Sequence, residues 1–377
     1  MNNFFRKFHL WVSIPFGIAI SIICFTGAIL VFESDITNLY NKDITTVEPA
    51  GTPLSIDSLV AIVEPTLDKG VEITNVSFTP NPSEAYKVSL SKPHRAAIYI
   101  DQYSGEIKGK YERLPFFNIM RRLHRWLMDT RPADGGIYWG KVIVGISTIA
   151  FVVILLTGIV IWWPLSRKML KNRLKIAINK GKKRFWYDLH VAGGFYAMIL
   201  LLAMSLTGLT WSFEWYRNGF YGMFGAATTQ SSNKKEPAGH NNKKADKAKE
   251  NKREYWQQAL DAVVTKEPQF KRITISGGSI AVAKENFGNQ QASDKYTFNE
   301  ATGEITSYLP YSDSPTRNKV SGWVRAIHVG NWGGAVSKII YFLASMLGAS
   351  LPLTGYYLWF KRLYGKSKRK VLKKETA

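Results

Sequence analysis

Four of the six histidines lie at the ends of long apolar stretches of the chain. They are His9, His124, His190 and His328. A neutral imidazole is a good ligand for haem iron, and two imidazoles that face each other across a helix bundle can take both axial positions of one iron. The residue type and its placement therefore favour haem ligation inside a membrane.

His9 and His190 begin two copies of the same segment. Four residues follow each histidine at offsets of 17, 18, 23 and 24: Thr26, Gly27, Phe32 and Glu33 in the first copy, and Thr207, Gly208, Phe213 and Glu214 in the second. A match without a gap over this length indicates an internal repeat.

His124 and His328 also occupy matching positions. Each ends an R-x-x-H motif whose arginine is Arg121 or Arg325. Each precedes an apolar segment that ends in T-G-x-x-x-W: Thr157, Gly158 and Trp162, or Thr354, Gly355 and Trp359. The spacing from histidine to threonine is 33 residues in one copy and 26 in the other. We interpret the chain as a tandem duplication of a helix, ectodomain, helix unit.

The repeat also predicts how the histidines pair. The helix from His9 to Glu33 would be roughly 36 Å long, which is the full thickness of the apolar layer. A pseudo-twofold axis along the membrane normal would bring His9 to His190 at the inner rim and His124 to His328 at the outer rim. We expect one bis-histidine haem at each rim. The alternative is that the histidines only line the membrane interface, where amphipathic side chains are common.

The composition predicts a membrane protein. The chain has 377 residues, 46% of them hydrophobic. Apolar runs of spanning length predict four transmembrane helices at 11–32, 138–163, 189–213 and 334–360. We expect a mainly α membrane protein with α+β ectodomains.

The positive charge follows the predicted topology. The net charge is +22, but nine Lys or Arg lie between 165 and 188 against one acid, and eight lie after 360 against one acid. The segment 33–137 is nearly balanced, with twelve basic and fourteen acidic residues. The positive-inside rule therefore places both termini and the loop 164–188 in the cytoplasm, with the ectodomains on the other side of the membrane. A charge distribution of this kind excludes a nucleic-acid partner and predicts a lipid bilayer.

The two extramembrane segments resemble each other. Strand-like alternation, a preceding amphipathic helix and a D/N-x3-G-E turn at Asp101 and Asn299 occur in both. We predict two small α+β modules, one in each repeat. The first repeat covers 1–163, with its ectodomain at 33–137, and a basic loop follows at 164–188. The second repeat covers 189–360, with its ectodomain at 214–333 and a disordered linker at 226–253, and a basic tail follows at 361–377. His240 in the linker and His94 in a loop are interpreted as surface residues.

The residues around the histidines suggest how a haem would be held. Cys24 is the single cysteine, and there is no C-x-x-C-H motif, so any haem would be b-type. Haem propionates need cations at the membrane edge, and the candidates are Arg6, Arg184, Arg121 and Arg325. The four Thr-Gly pairs indicate close helix packing or close approach of a porphyrin, of which packing is favoured. Glu33 and Glu214 could pair with Arg121 and Arg325.

These motifs, with the L-H-R-W segment at 123–126, resemble the PepSY-associated transmembrane family. This family includes inner-membrane ferrisiderophore reductases that carry two b haems. The resemblance implies an oxidoreductase that sends electrons outward to a ferric siderophore or other ferric chelate and releases Fe(II). A nucleotide-binding motif is missing, so the donor would be a soluble flavin, a flavoprotein or membrane quinol.

Two other functions remain open from the sequence. The chain could be a membrane-anchored PepSY protein with a regulatory or binding role and no catalysis. It could also be a transporter of iron or siderophore, although four spans without a broken helix or a midplane acid disfavour a transport path.

Overall fold

The computed structural model describes residues 2–93, 96–226, 255–284 and 288–375. His94, His240 and all but the first residue of the predicted linker lie outside these residues. The chain divides into two compact units: a membrane unit of Met1–Glu33, Pro115–Met223 and Val324–Ala377, and an ectodomain of Ser34–Leu114 and Phe224–Trp323.

The helices of the described residues follow one another along both units. In chain order they are α1 (Asn2–Leu30), α2 (Glu33–Tyr40), α3 (Lys42–Thr45), α4 (Ile56–Val63), α5 (Pro115–Trp126), α6 (Trp139–Trp162), α7 (Arg167–Arg173), α8 (Lys182–Asp188), α9 (Gly194–Ser212), α10 (Glu214–Gly222), α11 (Trp256–Lys266), α12 (Thr316–Val329) and α13 (Gly334–Glu375).

The membrane unit contains four helical segments that are long and apolar enough to span a bilayer. They are Asn3–Leu30, Trp139–Trp162, Lys182–Ser212 and Gly334–Tyr364. The prediction of four transmembrane helices in a mainly α membrane protein is therefore confirmed.

The helices extend beyond the predicted apolar runs. The first begins at Asn2 instead of residue 11, and α13 continues through the predicted basic tail to Glu375. Charged residues are good helix formers, so a helix that leaves the membrane need not end where the apolar sequence ends. The apolar run gives the span and not the whole helix.

The four spans form a ring in which α1 and α9 each pack against α6 and α13. The first helices of the two repeats therefore lie on a diagonal of the bundle, as a pseudo-twofold axis requires. Buried residues from all four spans fill the centre: Ile20, Cys24, Phe151, Leu155, Ala197, Leu201, Ala344 and Ala349.

The histidine-bearing segments before the second span of each repeat belong to the membrane unit. The predicted ectodomains at 33–137 and 214–333 include these two segments, so part of each predicted ectodomain packs with the membrane unit. Helix α5 packs against α1 and α6, and the membrane unit resumes at Pro115 and again at Val324.

The described ectodomain residues form one antiparallel sheet of eight strands. The strands are β1 (Ile73–Phe78), β2 (Tyr86–Leu90), β3 (Ala97–Ile100), β4 (Ile107–Lys110), β5 (Arg272–Ser276), β6 (Ser279–Ala283), β7 (Asp294–Phe298) and β8 (Ile305–Leu309). Their order in the sheet is β4-β3-β2-β1-β5-β6-β7-β8.

The two predicted modules are therefore joined and not separate. Strand β1 pairs with β5, with Val76 opposite Ile275, and both side chains are fully buried. Pairing covers one of the two edge strands that each four-stranded half would otherwise expose, which is a physical reason for the join. The ectodomain has a single hydrophobic core to which both repeats contribute.

Helices α4 and α11 cover this core from matching positions in the two repeats. Ser55 caps the N-terminus of α4 by accepting a hydrogen bond from the Ser58 N–H, as its residue type predicts. The Ile56 N–H donates to Gln257 Oε1 of α11 at 2.8 Å, which joins the two helices.

One half of the ectodomain holds a compact ionic cluster. Lys284 Nζ lies 2.7 Å from Asp294 Oδ2 and 3.0 Å from Glu267 Oε2, and Tyr296 donates to Glu267 at 2.9 Å. Burial alone raises the pKa of Asp294, but hydrogen bonds from Lys284 and from the Tyr311 N–H outweigh it and lower that pKa below its usual value. The carboxylate is therefore favoured in the folded state.

This cluster predicts a pH-dependent stability. A carboxyl group with a lowered folded pKa contributes stability above its unfolded pKa, about 3.9, and that contribution is lost as the pH falls through the folded pKa. We expect Lys284→Met to lose less stability than the wild type between pH 7 and pH 3, measured by urea unfolding. The exposed Lys295 on β7 gives the control Lys295→Met. Equal acid sensitivity of Lys284→Met and the wild type would contradict the prediction.

Candidate histidine sites in the membrane unit

Each of the four histidines contacts the threonine of a Thr-Gly pair on another helix. The Nδ1 to Oγ1 distances are 3.0 Å for His9 and Thr157, 2.9 Å for His190 and Thr354, 3.4 Å for His124 and Thr26, and 3.3 Å for His328 and Thr207. The same contact is therefore made four times, by both repeats and at both ends of the spans.

A backbone carbonyl completes each contact. The carbonyl belongs to the residue three positions before the threonine: Ile23 for His124 at 2.9 Å, Met204 for His328 at 2.9 Å, Leu351 for His190 at 3.1 Å, and Ile154 for His9. A carbonyl oxygen can only accept a hydrogen bond, so Nδ1 is the protonated nitrogen of His124, His190 and His328; His9 Nδ1 donates to Thr157, whose hydroxyl already donates to the Val153 carbonyl at 2.9 Å. The lone pair of each neutral imidazole then lies on Nε2.

The threonine hydroxyls are oriented by their own helices. Thr26 Oγ1 donates to the Ile22 carbonyl at 2.7 Å, and Thr207 Oγ1 donates to the Ala203 carbonyl at 2.6 Å. A hydroxyl that has donated its proton presents lone pairs, and these can accept from the histidine Nδ1–H. The arrangement fixes the tautomer and the ring orientation, as hydrogen bonds do for metal-binding histidines in general.

The glycine of each pair makes room for the imidazole. A Cβ at Gly208 would lie 2.9 Å from His328 Cε1, and one at Gly27 would lie 3.0 Å from His124 Cε1. At Gly158 and Gly355 the corresponding distances to His9 and His190 are 3.7 and 3.5 Å. His124 and His328, the pair predicted at the outer rim, therefore need glycine more strictly than His9 and His190, the pair predicted at the inner rim.

These contacts correct the favoured interpretation of the Thr-Gly pairs. The sequence suggested helix packing, whereas each pair receives a histidine ring. A signal was present in the sequence, because Thr-Gly follows His9 and His190 at the same offset and recurs after the other two histidines. The sequence could not show which histidine meets which pair.

The outer histidines lie next to each other. The ring centroids of His124 and His328 are 6.1 Å apart, with their planes at 59°. The edge of Trp211 also lies against His328, with a centroid distance of 5.0 Å. The corresponding position of the first repeat is Leu30, so the two sides of this pair differ.

His9 and His190 are the two histidines predicted to form the inner pair. Their local structures differ. His9 lies in regular α-helix, whereas His190 lies in a π-helical turn, Leu189–Gly193, between α8 and α9. Single π turns inside α-helices occur frequently at functional sites.

The outer histidine helix α5 has an unusual end. Leu127 and Met128 adopt left-handed backbone conformations, with φ of 50° and 69°. Arg122 Nη2 donates to the Met128 carbonyl at 2.9 Å and supports this turn. Left-handed non-glycine residues cost energy and persist where the surroundings fix them, so the end of α5 beside His124 is well defined.

The structure places the four predicted propionate ligands as follows. Arg121 and Arg325 lie one turn before their histidines on α5 and α12, as predicted for a helical segment. Arg121 forms an ion pair with Glu33. Arg184 Nε donates to Asp188 Oδ2 at 2.8 Å, and Arg6 is exposed on α1. Glu214 pairs with Arg217 of its own helix at 3.1 Å.

The sequence matches the family described as the PepSY-associated TM region over residues 6–362. The chain belongs to this family. Its match extends from just before His9 to the end of the fourth span, so all four histidine contacts lie within the PepSY-associated TM region. No curated protein matches the chain.

Proposed function

We propose that this PepSY-associated membrane protein carries two b haems and transfers electrons across the bacterial inner membrane to a ferric chelate, in the first place a ferrisiderophore. The observation that supports this most directly is the set of four histidines whose Nδ1 atoms are bonded and whose Nε2 atoms have no hydrogen-bond partner among the described residues.

The ring separation of the outer pair fits one iron held by two imidazoles. An iron–nitrogen distance of about 2 Å on each side puts the two ring centroids roughly 6.3 Å apart. The observed separation of His124 and His328 is 6.1 Å. The described residues include no group of three or more His, Cys, Asp or Glu that could hold a bare metal ion. Two imidazoles would be enough for the iron of a haem, because the porphyrin supplies the other ligands.

The protein itself would orient the ligands and keep water away. Along α1, the 17 residues from His9 to Thr26, the threonine that contacts His124, correspond to roughly 25 Å. The buried core with Phe151, Leu155 and Leu201 lies between these levels. Two b haems, when bound, supply one-electron carriers at the two levels. The protein supplies the separation between the two levels, an apolar core that excludes water, and imidazoles in fixed orientations.

The release of iron from the acceptor follows from the change in the oxidation state of the iron. Reduction of a ferric chelate replaces a hard ion with a softer one, which oxygen donors bind less tightly, and the iron is released as Fe(II). The electron would come from a soluble flavin, a flavoprotein or membrane quinol. The positive-inside rule puts the basic loop 164–188 in the cytoplasm, and the resemblance to ferrisiderophore reductases implies that the donor acts on that side.

A rapid-mixing experiment tests the reaction. The protein is reduced under anaerobic conditions and mixed with a ferric siderophore, while the Soret band and the capture of Fe(II) by a chromogenic chelator are followed. The gallium(III) complex of the same siderophore is the control, because it has a similar shape but is not reduced. We expect reoxidation with the ferric complex alone. A colourless protein, or one that both complexes leave reduced, would contradict the proposal and favour a regulatory role.

The hydrogen bond from His190 to Thr354 predicts a change in redox potential. Donation from Nδ1–H makes an imidazole a stronger electron donor and stabilises ferric iron. In Thr354→Val one acceptor is lost, and we expect the inner potential to rise by tens of mV, on the order of second-shell effects, with haem retained.

Thr148→Val is the matched control for this potentiometric titration. Thr148 donates to the Val144 carbonyl at 2.7 Å, as the site threonines do to their own helices. It is not among the threonines that contact a histidine. An equal shift in both variants, or a fall in potential in Thr354→Val, would show that the hydrogen bond does not act on the ligand.

A further inference from the structure

The loop between the two repeats forms a cavity whose lining includes Val191, the residue that follows His190. Its volume is about 340 Å³. The polar side chains around it include Lys168, Asn172, Arg173, Arg184 and Asp188, and Val191 of the π turn closes one side. Cavities of this size are in the range that binds small molecules or parts of larger ones.

The charge of the cavity is positive. Lys168, Arg173 and Arg184 contribute three cations, whereas Asp188 contributes the one carboxylate among the lining residues. Asp188 is buried and already accepts from Arg184 Nε at 2.8 Å and from the Ala177 N–H at 3.1 Å. Arg184 and Asp188 therefore balance each other, and the charges of Lys168 and Arg173 favour an anionic ligand.

Arg173 is held in place at the wall of the cavity. Its Nη1 donates to the carbonyls of Ile161 and Trp163 at 3.1 and 3.2 Å, and also to that of Trp162. These carbonyls end the second span, so the arginine joins the loop to the bundle. A fixed guanidinium loses little conformational freedom when an anion binds.

We propose that this cavity binds a phosphoryl group. Arginine and lysine donors with an asparagine amide suit an anion that has several acceptor oxygens, and phosphate geometry matches a guanidinium fork. The phosphoryl group can come from a soluble phosphomonoester, such as flavin mononucleotide, or from an anionic phospholipid headgroup. A phosphorylated flavin bound here would lie beside His190 as an electron donor, and this last step rests on the proposed function.

Binding of two flavins to the full-length protein tests the soluble source. Flavin mononucleotide and riboflavin share the ring system and differ in the phosphate, so quenching of their fluorescence isolates the phosphoryl contribution. We expect flavin mononucleotide to bind at least about tenfold more tightly than riboflavin, as charge-assisted hydrogen bonds predict. Inorganic phosphate should compete.

Two lysines of the same short helix provide matched variants. Lys168 lines the cavity, whereas Lys171 lies on α7 and is not among the lining residues. We expect Lys168→Gln to weaken flavin mononucleotide binding about threefold to tenfold and Lys168→Gln/Arg173→Gln to abolish it, with Lys171→Gln unchanged. The Soret band of each variant serves as the check on folding.

The lipid source is tested on the same variants by native mass spectrometry from phosphatidylglycerol nanodiscs. Retention of this lipid by the wild type and Lys171→Gln, with loss in Lys168→Gln, supports a phosphoryl site filled by lipid. Equal binding of both flavins together with equal lipid retention in the two lysine variants would overturn the proposal. Loss of haem from Lys168→Gln would also overturn it, because the cavity would then belong to the haem. An intact Soret band without phosphoryl binding would sink this inference and leave the proposed function standing.

Discussion

The His328→Ala variant is expected to lose the outer haem and keep the inner one. The rings of His328 and His124 lie 6.1 Å apart, and the described residues include no group of three or more His, Cys, Asp or Glu that could hold the iron instead. The haem-to-protein ratio should fall by half. Reduction of an external ferric chelate should fall by roughly a hundredfold or more, because loss of an iron ligand costs more than the 10-fold to 100-fold typical of a second-shell change.

Two further variants provide a complementary test and a control for the His328→Ala result. His9→Ala should produce the complementary loss, with the inner haem gone and the outer one retained. His240→Ala removes a histidine of the predicted linker and should change neither haem content nor rate. Haem content is measured by the pyridine haemochromogen assay. An unchanged ratio in both His328→Ala and His9→Ala would show that the haems, if present, are held elsewhere.

The glycines of the Thr-Gly pairs predict the second large effect, which differs between the two ends of the bundle. In Gly208→Ala the added methyl group would lie 2.9 Å from His328 Cε1. The ring cannot easily move away, because Nδ1 is held by Thr207 and by the Met204 carbonyl. We expect the affinity of the outer haem to fall about tenfold or more, as for other changes that displace a ligand.

Gly158→Ala is the matched control at the inner end. Its methyl group would lie 3.7 Å from His9 Cε1, which is an ordinary van der Waals distance. We expect this variant to keep both haems, measured by haem transfer to apomyoglobin. Gly27→Ala, at 3.0 Å from His124, should behave like Gly208→Ala. If all the glycine variants behave alike, the Thr-Gly pairs serve helix packing and not the histidines.

Much of the fold could be predicted from local sequence patterns. Apolar length alone defines the four spans, since a bilayer requires about twenty apolar residues in succession. Alternation of buried and exposed residues predicts strands such as Ile73–Phe78, and Ser55 marks the start of α4. These features depend on residues that are close in the sequence, so local sequence patterns are enough to predict them.

Features that depend on distant contacts could not be predicted. The pairing of β1 with β5 joins residues about two hundred positions apart and turns two predicted modules into one sheet. The contact between His9 and Thr157 spans 148 positions. His190 lies in a π turn, whereas its counterpart His9 lies in regular α-helix. The repeat therefore predicts the wrong local structure at His190.

The histidine positions illustrate both cases. Their repeat-equivalent spacing predicts two related histidine pairs, and helix geometry predicts that Arg121 and His124 share a face. The hydrogen bond that assigns the proton to Nδ1 comes from a backbone carbonyl of another helix, such as Ile23 for His124. Every residue has such a carbonyl, so no sequence pattern marks it.

A density map of the purified protein at a resolution that shows individual side chains tests the central claim most directly. We expect a porphyrin between His124 and His328 and another between His9 and His190, with each Nε2 directed at iron and each Nδ1 on its Thr-Gly pair. Histidine rings whose Nε2 atoms bond to other protein groups, with no macrocycle between them, would contradict the account.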